Sequence, residues 1–325
     1  MIYKQAKRIP EQLSAMGIGC WNFGGDWDTS DEQTAVRIVH TAIDHGINFF
    51  DVAPVYGWGK AETVLGKALK GGKREKVFIA SKCGLLWDDQ HRTRNDLTPN
   101  SILKEIDDSL TRLQTDYIDL YQLHWPDPAT PLEETAQVME QLRQSGKIRY
   151  VGLSNFSAKD ILTFDQMTRV DSVQGLYNML ERNPVSYHNI PLAYRTEQEL
   201  FPLVREHGMA FLPYSPLFQG LLMGRFQHGA AISSKDVRSA NPKLTGADFE
   251  KYQCAAQKLS QLGAKIGHPI NEITMNWLCR KPEITSVIGG VSSTDQLLQN
   301  LHALEWELTS EQLEEIDQIF ATVAE

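Results

Sequence analysis

Four ionisable side chains lie at or just beyond the ends of short apolar runs. Asp51 follows Ile47-Asn48-Phe49-Phe50, Lys82 follows Val77-Phe78-Ile79-Ala80-Ser81, and His124 follows Tyr117-Ile118-Asp119-Leu120-Tyr121-Gln122-Leu123. Tyr56 lies five residues beyond Asp51, in the loop Val55-Tyr56-Gly57-Trp58-Gly59-Lys60. Brought together, an Asp, a Tyr, a Lys and a His make a proton-donating site. A phenol ionises near pH ~10. A neighbouring ammonium favours the phenolate and lowers that value, and an aspartate holds the ammonium in place. A histidine donates a hydrogen bond to the carbonyl oxygen being protonated, or passes on a proton. Such an acid suits carbonyl reduction, with the hydride coming from a bound nicotinamide. Each residue also has a plain structural reading: Lys82 and Asp51 as an ion pair, Tyr56 as a loop aromatic, His124 as a core histidine. Four of them at run ends weigh against it. A lysine at a strand end can also form a Schiff base, as in aldolases, and spacing alone leaves that chemistry open.

Eight apolar runs, at 16–20, 47–52, 77–82, 117–123, 148–153, 172–176, 209–214 and 284–289, read as strands. Several are continuous, as expected of parallel strands buried on both faces. Helical patterns alternate with them. Start signals include the capping-box pairs Ser30/Gln33, Ser293/Gln296 and Thr309/Gln312, and Thr98-Pro99 supplies a cap and a first-turn proline. The expected fold is a single (β/α)8 barrel over residues 1–325, with an extra C-terminal helix at 309–322. In such a barrel the strand C-terminal ends converge on one face, where the chemistry occurs. Three long connections, at 84–98, 177–195 and 217–246, follow strands and would lie over that face; structureless loops of this length are usually functional.

The formal charge is −9, with no long run of either sign, which disfavours nucleic-acid and anionic-membrane partners. Cys20, Cys83, Cys254 and Cys279 form no C-x-x-C pair, and the nine histidines form no H-E-x-x-H motif. Neither a disulfide framework nor a metal site is expected. The N-terminus lacks the apolar stretch of a signal peptide, and no 18-residue apolar run is present. A soluble, cytoplasmic protein acting on a small molecule is expected. Trp21, Trp27, Trp58, Trp87 and Trp125 closely follow strand candidates. Together with Asp26, Asp88 and His91 they suggest an aromatic pocket with polar rims, suited to a small polar substrate.

The wording around these residues resembles the aldo-keto reductase family over nearly the whole chain. Gly46-Ile47-Asn48-Phe49-Phe50-Asp51-Val52-Ala53-Pro54-Val55-Tyr56-Gly57 is similar to the family's first signature, continued by Gly59-Lys60-Ala61-Glu62. Leu113 to His124 resembles the second, and Gly146-Lys147-Ile148-Arg149-Tyr150-Val151-Gly152-Leu153-Ser154-Asn155-Phe156 the third. The resemblance implies Tyr56 as general acid, tuned by Lys82 and Asp51, with His124 orienting the carbonyl. It further implies that Ser154, Asn155 and Gln174 hold the nicotinamide carboxamide, and that Tyr214 stacks on the ring. The backbone around Ser215, Leu217 and Gly220 would meet the pyrophosphate. At the adenosine end the chain reads Gly289-Gly290-Val291-Ser292-Ser293-Thr294-Asp295-Gln296. Ser292 stands where relatives often carry an arginine for the 2′-phosphate. Gln296 and Asn300 match adenine-contacting positions, Gly290 lies beside them, and Arg225 and Arg238 are candidate phosphate ligands. The implied cofactor is NADPH, with NADH as the alternative and an alcohol dehydrogenase running the same chemistry backward as the nearest rival. A nucleotide-sensing protein with weak turnover is a further alternative.

Overall fold

The structure is a computed structural model that describes residues 1–25, 31–224, 241–244, 248–321 and 323. Eight parallel strands form one sheet: β1 (Met16–Gly19), β2 (Phe49–Asp51), β3 (Phe78–Cys83), β4 (Ile118–Leu123), β5 (Ile148–Ser154), β6 (Ser172–Leu176), β7 (Ala210–Tyr214) and β8 (Val287–Gly290). Sheet order follows chain order from β1 to β7, with β8 beside β1. Between β7 and β8, Thr285 N–H donates to the Phe211 carbonyl at 2.9 Å, and Phe211 N–H donates to Thr285 Oγ1 at 3.3 Å. The sheet is thereby nearly closed into the expected (β/α)8 barrel, and all eight runs read from sequence are its strands.

The surrounding helices are α1 (Glu32–Asp44), α2 (Lys60–Ala68), α3 (Pro99–Leu113), α4 (Leu132–Gln144), α5 (Ala158–Asp165), α6 (Phe201–His207), α7 (Asp248–Ile266), α8 (Ile270–Arg280), α9 (Thr294–His302) and α10 (Ser310–Ala321). Their buried stripes follow the helical repeat; in α3 the stripe is Ile102, Ile106, Ser109 and Leu113. Thr98 and Pro99 start α3 as expected. Ser293 caps α9, and Thr309 and Gln312 exchange both bonds of a capping box ahead of α10, the extra C-terminal helix. Ahead of α1 the cap is one residue later than expected. Asp31 accepts from Thr34 N–H at 2.9 Å and from Thr34 Oγ1 at 2.6 Å, and a carboxylate there also gains from the helix dipole. Ser30 lies outside the described residues.

An N-terminal hairpin, Tyr3–Ala6 with Ile9–Ser14, was not evident from sequence. Its Ile9 and Leu13 are fully buried against Phe49, Phe78, Leu120, Tyr150, Leu212 and Ile288. It closes one end of the barrel, leaving the strand C-terminal ends as the open mouth. The long connections are also less irregular than expected. The first contains an antiparallel pair, Leu85–Trp87 with Thr93–Asn95, and the second a short pair, Ser186–Tyr187 with Ile190–Pro191. No described helix is long and apolar enough to cross a membrane.

Candidate active site

β2, β3 and β4 deliver Asp51, Lys82 and His124 to the mouth, and the loop after β2 returns Tyr56 above them. Lys82 is fully buried, Asp51 nearly so, and Tyr56 half-buried. The Lys82 ammonium donates to Asp51 Oδ1 at 2.6 Å, to the Val52 carbonyl at 3.2 Å and to the Tyr56 oxygen at 3.2 Å. Three protons and no lone pair are all that an ammonium has. Towards Lys82 the Tyr56 oxygen therefore accepts, and its own proton is directed elsewhere. His124 meets Tyr56 edge-on, with ring centroids 6.0 Å apart. Asp51 Oδ2 accepts from two buried amides, Gln174 Nε2 at 2.8 Å and Gln122 Nε2 at 3.3 Å.

The electrostatics differ from the sequence argument in one respect. Burial, then the charge of Asp51, pushes the Tyr56 phenol well above its usual value rather than below it. The Lys82 charge is paired with Asp51, so desolvation of a phenolate goes unopposed. Tyr56 is thus held protonated. Burial, assisted by the Lys82 charge, holds the His124 imidazole well below its ordinary value and so neutral.

Beside these residues, β5 ends in Ser154 and Asn155, both buried. Asn155 has φ 66°. Its side chain binds the His124 carbonyl, Ser154 Oγ, Tyr194 and Tyr214. Beyond β7 the backbone turns sharply, with positive φ at Ser215 (55°), Phe218 (47°), Gln219 (52°) and Gly220 (101°). Non-glycine residues in this region are uncommon and strained, and strain of this kind clusters at ligand-binding segments.

A family model for the aldo/keto reductases matches residues 15–321. The chain belongs to the aldo/keto reductase family. It is 35% identical over 311 residues to the aldo-keto reductase YhdN of Bacillus subtilis (strain 168), covering 95% of this chain and 90% of that protein. It is 33% identical over 313 residues to the NADH-specific methylglyoxal reductase of Escherichia coli (strain K12), covering 90% of each. Among solved structures it resembles a glycerol dehydrogenase from Gluconobacter oxydans, with a TM-score of 0.87 at 32% identity over 99% of this chain and 96% of that one. This aldo/keto reductase is accordingly an NAD(P)H-dependent oxidoreductase acting on carbonyl or alcohol groups.

The residues present fit a nicotinamide dinucleotide. In the turn at Phe218, Gln219 and Gly220 the Phe218 and Gly220 N–H groups donate to the Ser215 and Leu217 carbonyls, at 3.1 and 3.0 Å, which fixes the strained backbone next to the mouth. In α9, Asn300 is buried with Nδ2 lacking a hydrogen-bond partner among the described residues, a donor suited to an adenine ring nitrogen. Its Oδ1 accepts from Asn271 at 3.1 Å. Gly290, at the end of β8, is exposed. Ser292 is turned inward: its N–H and hydroxyl both donate to Gln296 Oε1, at 3.0 and 3.1 Å. Arg225 and Arg238 lie outside the described residues, as do Asp26 and Trp27.

The aromatic residues divide into two groups. Trp21 stacks on Tyr56 with centroids 5.8 Å apart, directly walling the phenol. Trp58 stacks on His91 at 4.4 Å and lies 5.7 Å from Trp87, a second cluster where the Tyr56 loop meets the first hairpin. Trp125 is half-buried and packs on the core. Asp88 is bound to its own loop through Gln90 N–H and Arg92. Two residues that touch the site were not singled out from sequence. Gln122 sits within an apolar strand two residues before His124, and that spacing was the available signal. Tyr194 sits in a loop and gives none.

Proposed function

We propose that the protein reduces a small polar aldehyde or ketone to the alcohol, with Tyr56 as the proton donor. The observation that carries this reading is the Lys82 ammonium bonded to both Asp51 and the phenol oxygen, which leaves a protonated Tyr56 with its proton directed away from Lys82. The ring nitrogens of His124 make no hydrogen bond to a described residue, and the neutral imidazole can donate to the same carbonyl oxygen. Once bound, the nicotinamide supplies the hydride. Ser154 and Gln174 orient it, and Tyr214 faces its ring. Trp21 excludes water from one side of Tyr56. Two similar proteins are named for methylglyoxal and glycerol, which supports a short, polar, oxygenated substrate. The same site run in reverse oxidises the corresponding alcohol.

For the nucleotide, the described residues favour NADH over the NADPH expected from sequence. At the start of α9, Ser292 is committed to Gln296, and the charged residue of the first turn is Asp295. A 2′-phosphate calls for a cation there. The NADPH expectation rests on Arg225 and Arg238 and on the N-terminal dipole end of the helix opened by Ser293. Comparing kcat/KM for the two nucleotides distinguishes them.

Substituting Tyr56→Phe tests the main reading. Reduction of methylglyoxal or glyceraldehyde should fall by about 10²–10⁴-fold, the usual contribution of a general acid, while nucleotide affinity stays within about twofold. Retained turnover, or an equal loss of nucleotide binding, would remove Tyr56 from the role.

A further inference from the structure

The motif around Tyr56 runs on through Gly59-Lys60-Ala61-Glu62, and Glu62 has no part in the proton transfer. It lies in the first turn of α2 and is fully buried. Its Oε1 accepts from Ser81 Oγ at 2.7 Å, and its Oε2 from Arg112 Nε at 2.6 Å. Arg112, near the end of α3, also donates from Nη2 to Ser109 Oγ at 3.2 Å. Taking a carboxylate out of water is costly even when it is paired, and apolar side chains of similar size fill such a space without that cost. The arrangement therefore calls for a reason other than stability.

What the carboxylate joins supplies one. Side chains alternate across a strand, so Lys82 of β3 points to the mouth and the buried Ser81 points away, toward the helices. The Tyr56 loop runs directly into α2. Gly59 N–H donates to the Pro54 carbonyl at 2.7 Å, Lys60 N–H to Gly57 at 3.1 Å and Ala61 N–H to Tyr56 at 3.2 Å. Arg112 braces the same junction: a Cβ on Gly59, where φ is 91°, would fall 2.8 Å from Arg112 Cδ. Glu62 thus ties the element carrying Tyr56 to the residue beside Lys82. It does so on the side of β3 opposite the 3.2 Å contact between the phenol oxygen and the ammonium.

We propose that Glu62 is a positioning residue: through Ser81 it fixes the separation of Tyr56 from Lys82, and Arg112 holds its carboxylate in place. Its own bonds go to Ser81 and Arg112, and to neither Tyr56 nor Lys82. This rests on the reading of Tyr56 as the proton donor.

The test measures single-turnover oxidation of NADH at saturating methylglyoxal, beside kcat, KM, NADH affinity and Tm. Ser81→Ala cuts the tie to β3 and leaves the Glu62–Arg112 pair. Its single-turnover rate and kcat should fall about tenfold, within the roughly 10²-fold that a displacement of about 1 Å can cost, with KM and NADH affinity changed by less than about twofold. Ser109→Ala removes a bond of the same cluster that lies outside the tie, and should lower Tm with a wild-type rate. Glu62→Gln keeps both links, because its amide oxygen accepts from Arg112 and its amide nitrogen donates to Ser81 Oγ; its rate should stay within about threefold. Glu62→Leu breaks both and should fall at least as far as Ser81→Ala; if it does not fold, Ser81→Ala decides. A wild-type rate in Ser81→Ala, or an equal fall in Ser109→Ala, would make Glu62 a residue of stability alone and overturn the proposal. A wild-type protein that oxidises neither NADH nor NADPH with methylglyoxal or glyceraldehyde would remove the reading of Tyr56 itself, and the proposal with it.

Discussion

Gly24 lies where the loop carrying Trp21 meets the loop carrying Tyr56. A Cβ placed on Gly24 would fall 2.5 Å from the Gly57 nitrogen and 2.8 Å from the Tyr56 carbonyl carbon. Ordinary contact between such atoms is about 3.5 Å, so Gly24→Ala requires the two backbones to separate by about 1 Å. Neither side gives way easily. The turn holding Gly24 is tied to β8 by Asn22 Nδ2 to the Val291 carbonyl at 3.2 Å. The Tyr56 loop is closed by Gly59 N–H to Pro54 O at 2.7 Å and Ala61 N–H to Tyr56 O at 3.2 Å. A shift of that size carries the phenol oxygen beyond reach of Lys82, now 3.2 Å away. Misplacing a reacting group by 1 Å can cost about 10²-fold in rate, and overpacking costs about 1–3 kcal/mol of stability. The assay is steady-state reduction of methylglyoxal beside nucleotide titration and thermal unfolding. The expected result is kcat lowered about 10²-fold with nucleotide affinity nearly unchanged. A normal kcat in a protein with lowered Tm would refute the idea that this contact sets the position of Tyr56.

Further outcomes follow from the buried charges and the adenosine end. Lys82→Met leaves Asp51 buried without its counter-ion and should cost about 3–5 kcal/mol in urea unfolding; adding Asp51→Asn should restore most of it, and a double variant no more stable than the single would contradict the pairing. Burial pushes Glu105 up to about 7 from 4.5, against bonds from Gly84 N–H and Ser101. The folded state therefore holds the extra proton between those values, so this contribution is fully present below pH 4.5 and lost as pH rises through about 7. It amounts to about 3 kcal/mol; Glu105→Gln should flatten the fall in Tm over that window, and an unchanged slope would assign it elsewhere. Ser292→Arg should raise the NADPH-to-NADH ratio of kcat/KM by about tenfold or more, whereas equal scaling of both would place the 2′-position away from residue 292.

The barrel was legible because parallel strands buried on both faces leave continuous apolar runs, and Phe49–Asp51 and Ile118–Leu123 emerge within the runs read from sequence. The N-terminal hairpin was not. Its buried Ile9 and Leu13 are separated by Pro10, Glu11 and Gln12, which breaks the alternation by which a strand is recognised. Asp51, Lys82 and His124 declared themselves by ending apolar runs. Gln122 did not, because its only signal is the two-residue spacing that puts it on the same strand face as His124, and Tyr194 did not, because it lies in a loop with no periodicity to read. The direction in which Tyr56 titrates differs from the sequence argument because a sequence suggests the Lys82–Asp51 pair but not the burial of the phenol beside it.

The most direct test of the central reading is to supply NADH carrying deuterium at the transferable nicotinamide position, together with methylglyoxal, and to analyse the product by NMR and mass spectrometry. Transfer of the label to the former carbonyl carbon by the wild-type protein, and its loss with Tyr56→Phe despite retained nucleotide binding, is the expected result. Product without label on carbon, or label transfer undiminished in Tyr56→Phe, would contradict hydride reduction with Tyr56 as the acid.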